Sequence, residues 1–143
     1  MRKLAALVPI LLALSLSQAA FAAADPYGTP VSEAVFVSFA DSSAVFMPSA
    51  AQQESLSAAL RAVQVTVRGR TSTHQPSAKD ESLALARGVA ARAYLIAHGV
   101  SPLKIAVNFV SATDYIADNT TLEGRQANQR VEIDMLFRAT PAR

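Results

Sequence analysis

The chain has 143 residues, with 13 Lys or Arg, 11 Asp or Glu, two His and no Cys. Without cysteine it forms no disulfide and offers no thiolate to a metal, and its two histidines, His74 and His98, lack metal-ligand spacing. We therefore expect a domain that holds no metal and no cofactor.

The first 22 residues have the pattern of a secretory signal peptide. Two basic residues open the chain, an apolar run follows at 4–16, and small residues fit a cleavage site after Ala22 or Ala24. The run is too short for a comfortable membrane span, and no second one follows. We therefore expect an exported, periplasmic protein without a transmembrane span. Since no Cys lies near the cleavage site, we expect that it is not a lipoprotein.

Cleavage after residue 22 leaves 121 of the 143 residues, enough for one domain with one core. The removed segment holds two of the 13 basic residues and none of the 11 acidic ones. The mature chain therefore has 11 basic and 11 acidic residues. A neutral domain gives no electrostatic reason to expect nucleic acid or an anionic membrane as a partner.

The first part of the mature chain predicts a leader, a strand and a helix. Residues 23–33 contain two Pro and one Gly and are expected to be a flexible leader. Alternating apolar residues predict a strand within 34–39. A helix is predicted over 49–61, because its first residue, Ser49, has capping-box spacing to a Gln three residues on.

The stretch 63–99 predicts a strand, a polar loop and a long helix, around which the other elements are arranged. Period-two apolar residues begin at Val63, and the helix runs from near Ser77 to Gly99, where a Schellman-type ending is expected. A polar loop beside a helix N-terminus is a natural site for a small ligand, and Arg87 lies in the early turns of this helix. Its buried stripe is predicted to consist of Leu85, Val89, Ala93 and Ile96.

The remaining elements complete one sheet. Strands are predicted over 105–109 and 131–137, a short helix capped by Thr120 lies between them, and residues 139–143 are expected to be a frayed tail. Strand and helix alternate, so we predict an α+β fold with one mixed four-stranded sheet and two long helices packed on one face.

Two blocks of the sequence resemble the OmpA-like peptidoglycan-binding domains, which include peptidoglycan-associated lipoproteins and flagellar stator proteins. Residues 69–72, GRTS, stand where the family has Gly-His-Thr-Asp, and 83–88, LALARG, stand where it has Leu-Ser-x-x-Arg-Ala. Residues 116–125 and 128–133 resemble its terminal stretch, which ends in Asn-Arg-Arg-Val-Glu. The resemblance implies an OmpA-like βαβαβ(α)β sandwich over 34–138.

The resemblance also implies a ligand, the diaminopimelate of the peptidoglycan stem peptide. In the family, the Asp of the first motif and the Arg of the helix hold its ammonium and carboxylate ends. Arg87 stands at the Arg position, but Ser72 stands at the Asp position. A hydroxyl accepts a hydrogen bond without supplying the charge that makes an ammonium contact strong, so we expect weak binding. Asp80 is a candidate for the missing carboxylate.

The ligand-binding residues implied in this way are Thr71, Ser72, Asp80, Arg87, Asn128 and Arg130. Each has a structural alternative. Arg87 would pair with Asp80 or Glu81, and the two hydroxyls would satisfy a turn. Asn128 would bond the backbone, and Arg130, like Arg125, would pin the last connection to the sheet. The loop acids Asp114 and Asp118 would be solvated.

An enzymatic role is not expected. Ser72, His74 and Asp80 contain the residue types of a hydrolytic triad, but no nucleophile elbow or oxyanion motif surrounds them. Two functions remain open. The first is a periplasmic, outer-membrane-associated domain of the cell envelope that binds peptidoglycan. The second is a degenerate domain that serves as a structural or protein-interaction part of a secretion or pilus assembly.

Overall fold

The computed structural model describes residues 29–139, and the expected signal peptide, most of the leader and residues 140–143 lie outside this range. Among residues 29–139, no helix combines the length and the apolar character that a membrane crossing requires. The elements, in chain order, are β1 (Val31–Ser38), α1 (Ala50–Leu56), β2 (Gln64–Arg70), α2 (Ala78–Ala97), β3 (Ile105–Val110), α3 (Leu122–Asn128) and β4 (Arg130–Phe137).

The four strands form one mixed sheet in the order β1-β4-β2-β3. β4 is antiparallel to both of its neighbours, and β2 is parallel to β3. β1 and β2 therefore run in the same direction on either side of β4, so their C-terminal ends lie at the same end of the sheet. The predicted α+β fold with a mixed four-stranded sheet is confirmed.

The core lies on one face of this sheet. Alternate strand residues point to that face, and side chains of both long connections pack on it, which confirms that the helices share a face. The strands contribute Val35, Val37, Val65, Val67, Val131, Ile133 and Met135, the α1 connection contributes Leu56 and Ala59, and α2 contributes Ala91 and Leu95. The opposite face carries the ion-paired side chains of Arg68, Glu132 and Asp134.

The predicted helix ends at Ser49 and Gly99 are confirmed. The Ser49 hydroxyl accepts from the Gln52 amide at 3.3 Å, and the Gln52 side chain accepts from the Ser49 amide at 2.7 Å. Gly99 has φ +91°, and the Val100 amide donates to the Leu95 carbonyl at 3.0 Å, as a Schellman ending requires. Local side-chain chemistry therefore determines where these helices begin and end.

Three of the bounds that differ from prediction have a clear structural reason. β1 begins at Val31, inside the expected leader, because Val31–Ser38 pairs along its full length with β4. The first helix is shorter than predicted, since α1 ends at Leu56 and a 3-10 turn continues to Leu60. The cap of α3 is Thr121, whose hydroxyl accepts from the Gly124 amide at 2.9 Å, rather than Thr120.

The predicted buried stripe of α2 is wrong at Leu85, Val89 and Ala93, whereas Ile96 is partly buried and packs against the core. The residues that are buried are Ala84, Arg87, Gly88, Ala91 and Leu95. Leu85 and Val89 are 37% and 51% exposed. Opposite Gly69 of β2 the helix backbone lies so close to the strand that only small residues, Ala84 and Gly88, fit there, so steric fit and not side-chain hydrophobicity sets the rotation of the helix.

Gly69 of β2 is where this approach is closest. A Cβ at Gly69 would lie 1.9 Å from the Ala84 carbonyl oxygen, which belongs to the helix backbone and cannot rotate away. We expect Gly69→Ala to push α2 from the sheet and to lower the free energy of unfolding by about 3 kcal/mol, measured by urea denaturation.

Gly88→Ala is the matched control for this substitution. The Cβ there would meet the Val107 Cγ1 at 2.8 Å, and this atom is the end of a side chain that can move. Alanine also favours the helix by about 1 kcal/mol over glycine. Equal losses for the two variants would contradict a backbone clash at Gly69.

Candidate functional site

Two adjacent cavities open where β1 and β2 end and α2 and α3 begin. The larger, which we call the outer cavity, has a volume of about 390 Å³, and the smaller inner cavity about 60 Å³. Both are lined by Asp41, Ser72 and Gln129. Of the residues that the sequence implied, Thr71, Ser72, Asp80 and Arg87 line the inner cavity.

Arg87 lies at the inner cavity with a side chain that is fully buried. Its Nε donates to the Ser43 carbonyl at 2.8 Å, and its Nη1 donates to the Arg70 carbonyl at 2.9 Å. Its Nη2 donates to the Ala40 carbonyl at 3.4 Å and to the Gln129 Oε1 at 3.2 Å. All three guanidinium nitrogens therefore donate to the protein, and they fasten the β1–α1 loop to the end of β2.

The buried charge of Arg87 is stabilised without an ion pair to an acidic side chain. No ion pair within residues 29–139 includes Arg87, so the suggested pairing with Asp80 or Glu81 is wrong. Burial lowers the pKa of Arg87 to about 10, and the field of Asp41 opposes this shift. The guanidinium remains a cation at neutral pH, and its centre lies 5.1 Å from the ring centroid of Phe39.

The two hydroxyl residues of the first motif differ in availability. Thr71 is 1% exposed, and its hydroxyl shares a 3.0 Å hydrogen bond with the Thr73 hydroxyl. Ser72 is partly exposed and lines both cavities, while its carbonyl accepts from the Asn119 side chain at 2.8 Å. The structural alternative therefore describes Thr71, whereas Ser72 lines both cavities.

Asp80 has a structural bond of its own. Its carboxylate accepts from the Ser77 hydroxyl, and its amide donates to the same hydroxyl at 3.1 Å, which caps α2. Asp80 lines the inner cavity but not the outer one. The main role of Asp80 is therefore to help cap the N-terminus of α2.

Asn128 and Arg130 do not line either cavity, and their expected role as ligand contacts stays a prediction. Asn128 is fully buried, and its side-chain oxygen accepts from the Ile116 and Ala117 amides at 2.8 and 3.2 Å. Arg130 is 1% exposed and donates to the Asp114 carbonyl at 2.7 Å. Both hold the loop after β3, as the structural alternative for these residues stated.

The loop acids Asp114 and Asp118 also lie outside the lining of the two cavities. Asp114 pairs with Arg70 at 3.0 Å. Hydrogen bonds from the side chain and then the backbone of Thr120 lower the pKa of Asp118. Within residues 29–139, no three His, Asp or Glu side chains cluster as metal ligands would.

Sequence reasoning missed two charged residues of the site, Asp41 and Arg125. Asp41 follows β1 and has no predicted role, and Arg125 of α3 is predicted only to pin the last connection to the sheet. Arg125 does donate to the Thr120 carbonyl at 3.1 Å, but it also lines the outer cavity. Asp41 could have been identified from its position directly after a strand that runs parallel to β2. That position has this meaning only once the strand order is known.

The comparison with protein families matches residues 38–129 to the OmpA family. Over 109 residues the chain is 33% identical to a Brucella suis protein whose name describes it as an outer membrane lipoprotein of a type IV secretion system. The match covers 75% of this chain and 63% of that relative, so the chain spans less than two thirds of the relative's length. The expectation that this chain carries no lipid rests on its lack of Cys and stays a prediction.

Solved structures share the fold. The OmpA-like domain of FopA1 from Francisella tularensis superposes with a TM-score of 0.61 at 21% identity, over 81% of this chain and 79% of that one. The cell wall anchor of the type VI secretion system from Pseudomonas aeruginosa superposes with a TM-score of 0.58 at 27% identity, over 76% of this chain and 82% of that one.

Proposed function

Since this chain belongs to the OmpA family, we propose that it is a non-enzymatic periplasmic domain that binds peptidoglycan non-covalently through the outer and inner cavities. The observation that carries the proposal is the pair of cavities with charges of both signs, contributed by Asp41, Asp80, Arg87 and Arg125. A peptide end that bears an ammonium and a carboxylate complements such a surface. The diaminopimelate of a stem peptide is a ligand of this kind.

Two further points support this proposal. The Pseudomonas structure of the same fold is described as a cell wall anchor, at 27% identity to this chain. In addition, Ser72 lines both cavities with a partly exposed side chain, as expected for a ligand contact. Because Ser72 carries no charge, the binding is weak.

We expect the purified protein to co-sediment weakly with intact peptidoglycan sacculi, and we expect Ser72→Asp to raise the affinity at least about tenfold. A charged partner in a desolvated contact is worth about 2–5 kcal/mol, and each 1.4 kcal/mol is about a factor of ten. The measurement is the fraction pelleted as the amount of sacculi is increased.

Ser57→Asp is the control, since it adds the same charge at the exposed end of α1, outside the lining of both cavities. Its pelleted fraction should equal that of the native protein. If neither the native protein nor Ser72→Asp pellets, peptidoglycan binding is wrong for this chain.

The second function, a structural part of an envelope assembly, is favoured by the hydrogen bonds of Arg87. A guanidinium that already donates to three backbone carbonyls and Gln129 supports the fold whether or not a ligand is present. The Brucella relative is named for a type IV secretion system. If only Ser72→Asp pellets, the cavities are intact but do not bind the wall, and this second function becomes the working proposal.

A further inference from the structure

The edge of the sheet at β3 is unprotected. Within residues 29–139, β3 pairs with β2 alone, so one side of its backbone has no strand beside it. Edge strands of soluble proteins usually carry a charge or a proline, which discourages pairing with another chain. β1, the other edge strand, carries Glu33, whereas β3 reads IAVNFV and has neither. The backbone of β3 is therefore free to pair with a further strand.

One side of α2 lies above this edge. Gly88 rests against the Val107 side chain of β3, whereas Tyr94, farther round the helix, contacts Phe46 before α1. A line of residues at i, i+4, i+8, i+11 and i+15 lies beyond Gly88, on the side of the helix away from Tyr94. This line, which we call the flank of α2, consists of Glu81, Leu85, Val89, Arg92 and Ile96.

The flank of α2 is self-complementary. Leu85 and Val89 in its middle are exposed, and Phe109 of β3 is 39% exposed. Glu81 and Arg92 belong to none of the ion pairs found within residues 29–139. If α2 packs antiparallel on an identical helix with the symmetry axis at residue 87, Leu85 lies opposite the Val89 of the second copy. Glu81 then lies within one residue of the position opposite the second Arg92, so apolar groups meet and opposite charges face each other.

We propose that this protein forms a twofold dimer in which β3 pairs antiparallel with β3 of a second copy and the two flanks of α2 pack against each other. The occupant of the free edge is thus the chain itself. The dimer buries the apolar residues Leu85 and Val89, which the monomer leaves exposed. This inference does not depend on wall binding.

One symmetry axis satisfies both contacts. α2 lies over two strands, since Ala84 approaches Gly69 of β2 and Gly88 approaches Val107 of β3. Paired strands are about 5 Å apart, so a helix midway above β2 and β3 lies about 5 Å from the axis between two β3 strands. The two helices are then about 10 Å apart, which is the distance at which helices pack. The middle of β3 and the middle of the flank also lie at the same level, because Gly88 contacts Val107.

The first test is sedimentation velocity of the purified protein over a range of concentrations. We expect a concentration-dependent dimer, and we expect Val89→Glu to weaken it at least tenfold, because two carboxylates would meet at an apolar contact. Val45→Glu is the matched control, since Val45 is 66% exposed in the loop between β1 and α1, and it should dimerise like the native protein. A native protein that stays monomeric up to about 1 mM, where a contact worth about 4 kcal/mol is half formed, would overturn the proposal.

A charge exchange tests the arrangement of the helices. Glu81→Arg and Arg92→Glu should each weaken the dimer about threefold or more at low ionic strength, because each brings like charges together. The double variant restores opposite charges and should dimerise within about twofold of the native protein. A double variant weaker than either single one would overturn the antiparallel packing of the flanks.

Hydrogen exchange locates the strand contact. Exchange of the backbone amides of β3 should slow as the native protein dimerises, and it should not slow at the same concentrations in Val89→Glu. Slowing at β1 with none at β3 would place the contact at the other edge of the sheet and overturn the proposal. The sacculus assay reports separately on the proposed function, so the two conclusions can fail independently.

Discussion

Arg87→Ala is expected to lower the free energy of unfolding by about 3–5 kcal/mol, because it removes the donor to the buried Arg70 carbonyl and to the partly exposed carbonyls of Ala40 and Ser43, and leaves a cavity where the buried side chain lay. For a domain of this size the midpoint of thermal unfolding should fall by about 10 °C or more. Chemical and thermal denaturation of the purified protein measure both quantities.

Arg61→Ala is the control, since Arg61 is exposed and belongs to no ion pair within residues 29–139, and its stability should stay within about 0.5 kcal/mol of the native value. Arg87→Lys should lie between the two, because an ammonium keeps the charge but cannot reach all four acceptors at once. Native-like stability of Arg87→Ala would show that the guanidinium is not needed by the fold, and would restore it as a ligand clamp.

Wall binding therefore needs probes other than Arg87→Ala. A loss of sedimentation in Arg87→Ala would follow from unfolding alone, so that variant cannot show that Arg87 touches the ligand. Substitutions at Asp41, Ser72 and Arg125 are better probes, since these side chains line the outer cavity without being fully buried.

Asn128→Asp is expected to lower the free energy of unfolding by about 2–4 kcal/mol at neutral pH. The Asn128 Nδ2 donates to the Ala117 carbonyl and to the Asn119 side-chain oxygen, both at 3.0 Å. The substitution places a carboxylate oxygen against these two acceptors in a fully buried position. The same asparagines connect to Ser72, because Asn119 donates to its carbonyl, so wall binding should fall as well.

The pH dependence of this variant gives a sharper test. Burial and the two facing oxygens raise the pKa of the introduced carboxyl in the folded state above its unfolded value of about 4, and the Ile116 and Ala117 amides, which donate to the retained oxygen, oppose this shift in part. The deficit is therefore full above the folded-state pKa and shrinks as the pH falls toward 4, where the protonated group donates again. Asn108→Asp, at an exposed position of β3, should show no such recovery. A deficit that does not change with pH would contradict the proposed repulsion.

Much of the fold follows from local sequence. Capping by Ser49, the glycine ending at Gly99 and the alternation of apolar residues in the strands depend on neighbours within a few positions, so the order of the elements is predictable from the chain alone. The family was recognisable for a related reason, since the two blocks at 69–88 and 116–133 keep the spacing of the family and part of its residue types, and the match over residues 38–129 agrees.

The rotation of α2 and the composition of the site depend on tertiary structure. Hydrophobicity favoured Leu85 and Val89 as the buried face, but the close approach at Gly69 requires small residues there, and no periodicity within one helix shows how near its neighbour lies. Arg87 could likewise be identified as important from sequence, but its acceptors lie 17 to 47 residues away in the chain.

Short-range patterns of residue type are enough to predict the family, the order of the elements and the position of Arg87 beside the polar loop. That Asp41 and Arg125 share a cavity, while Asn128 and Arg130 support a loop, follows from contacts between distant parts of the chain. The physical reason is that β1 and β2 run parallel on either side of β4, which brings the residue after β1 to the same end of the sheet as the loop after β2.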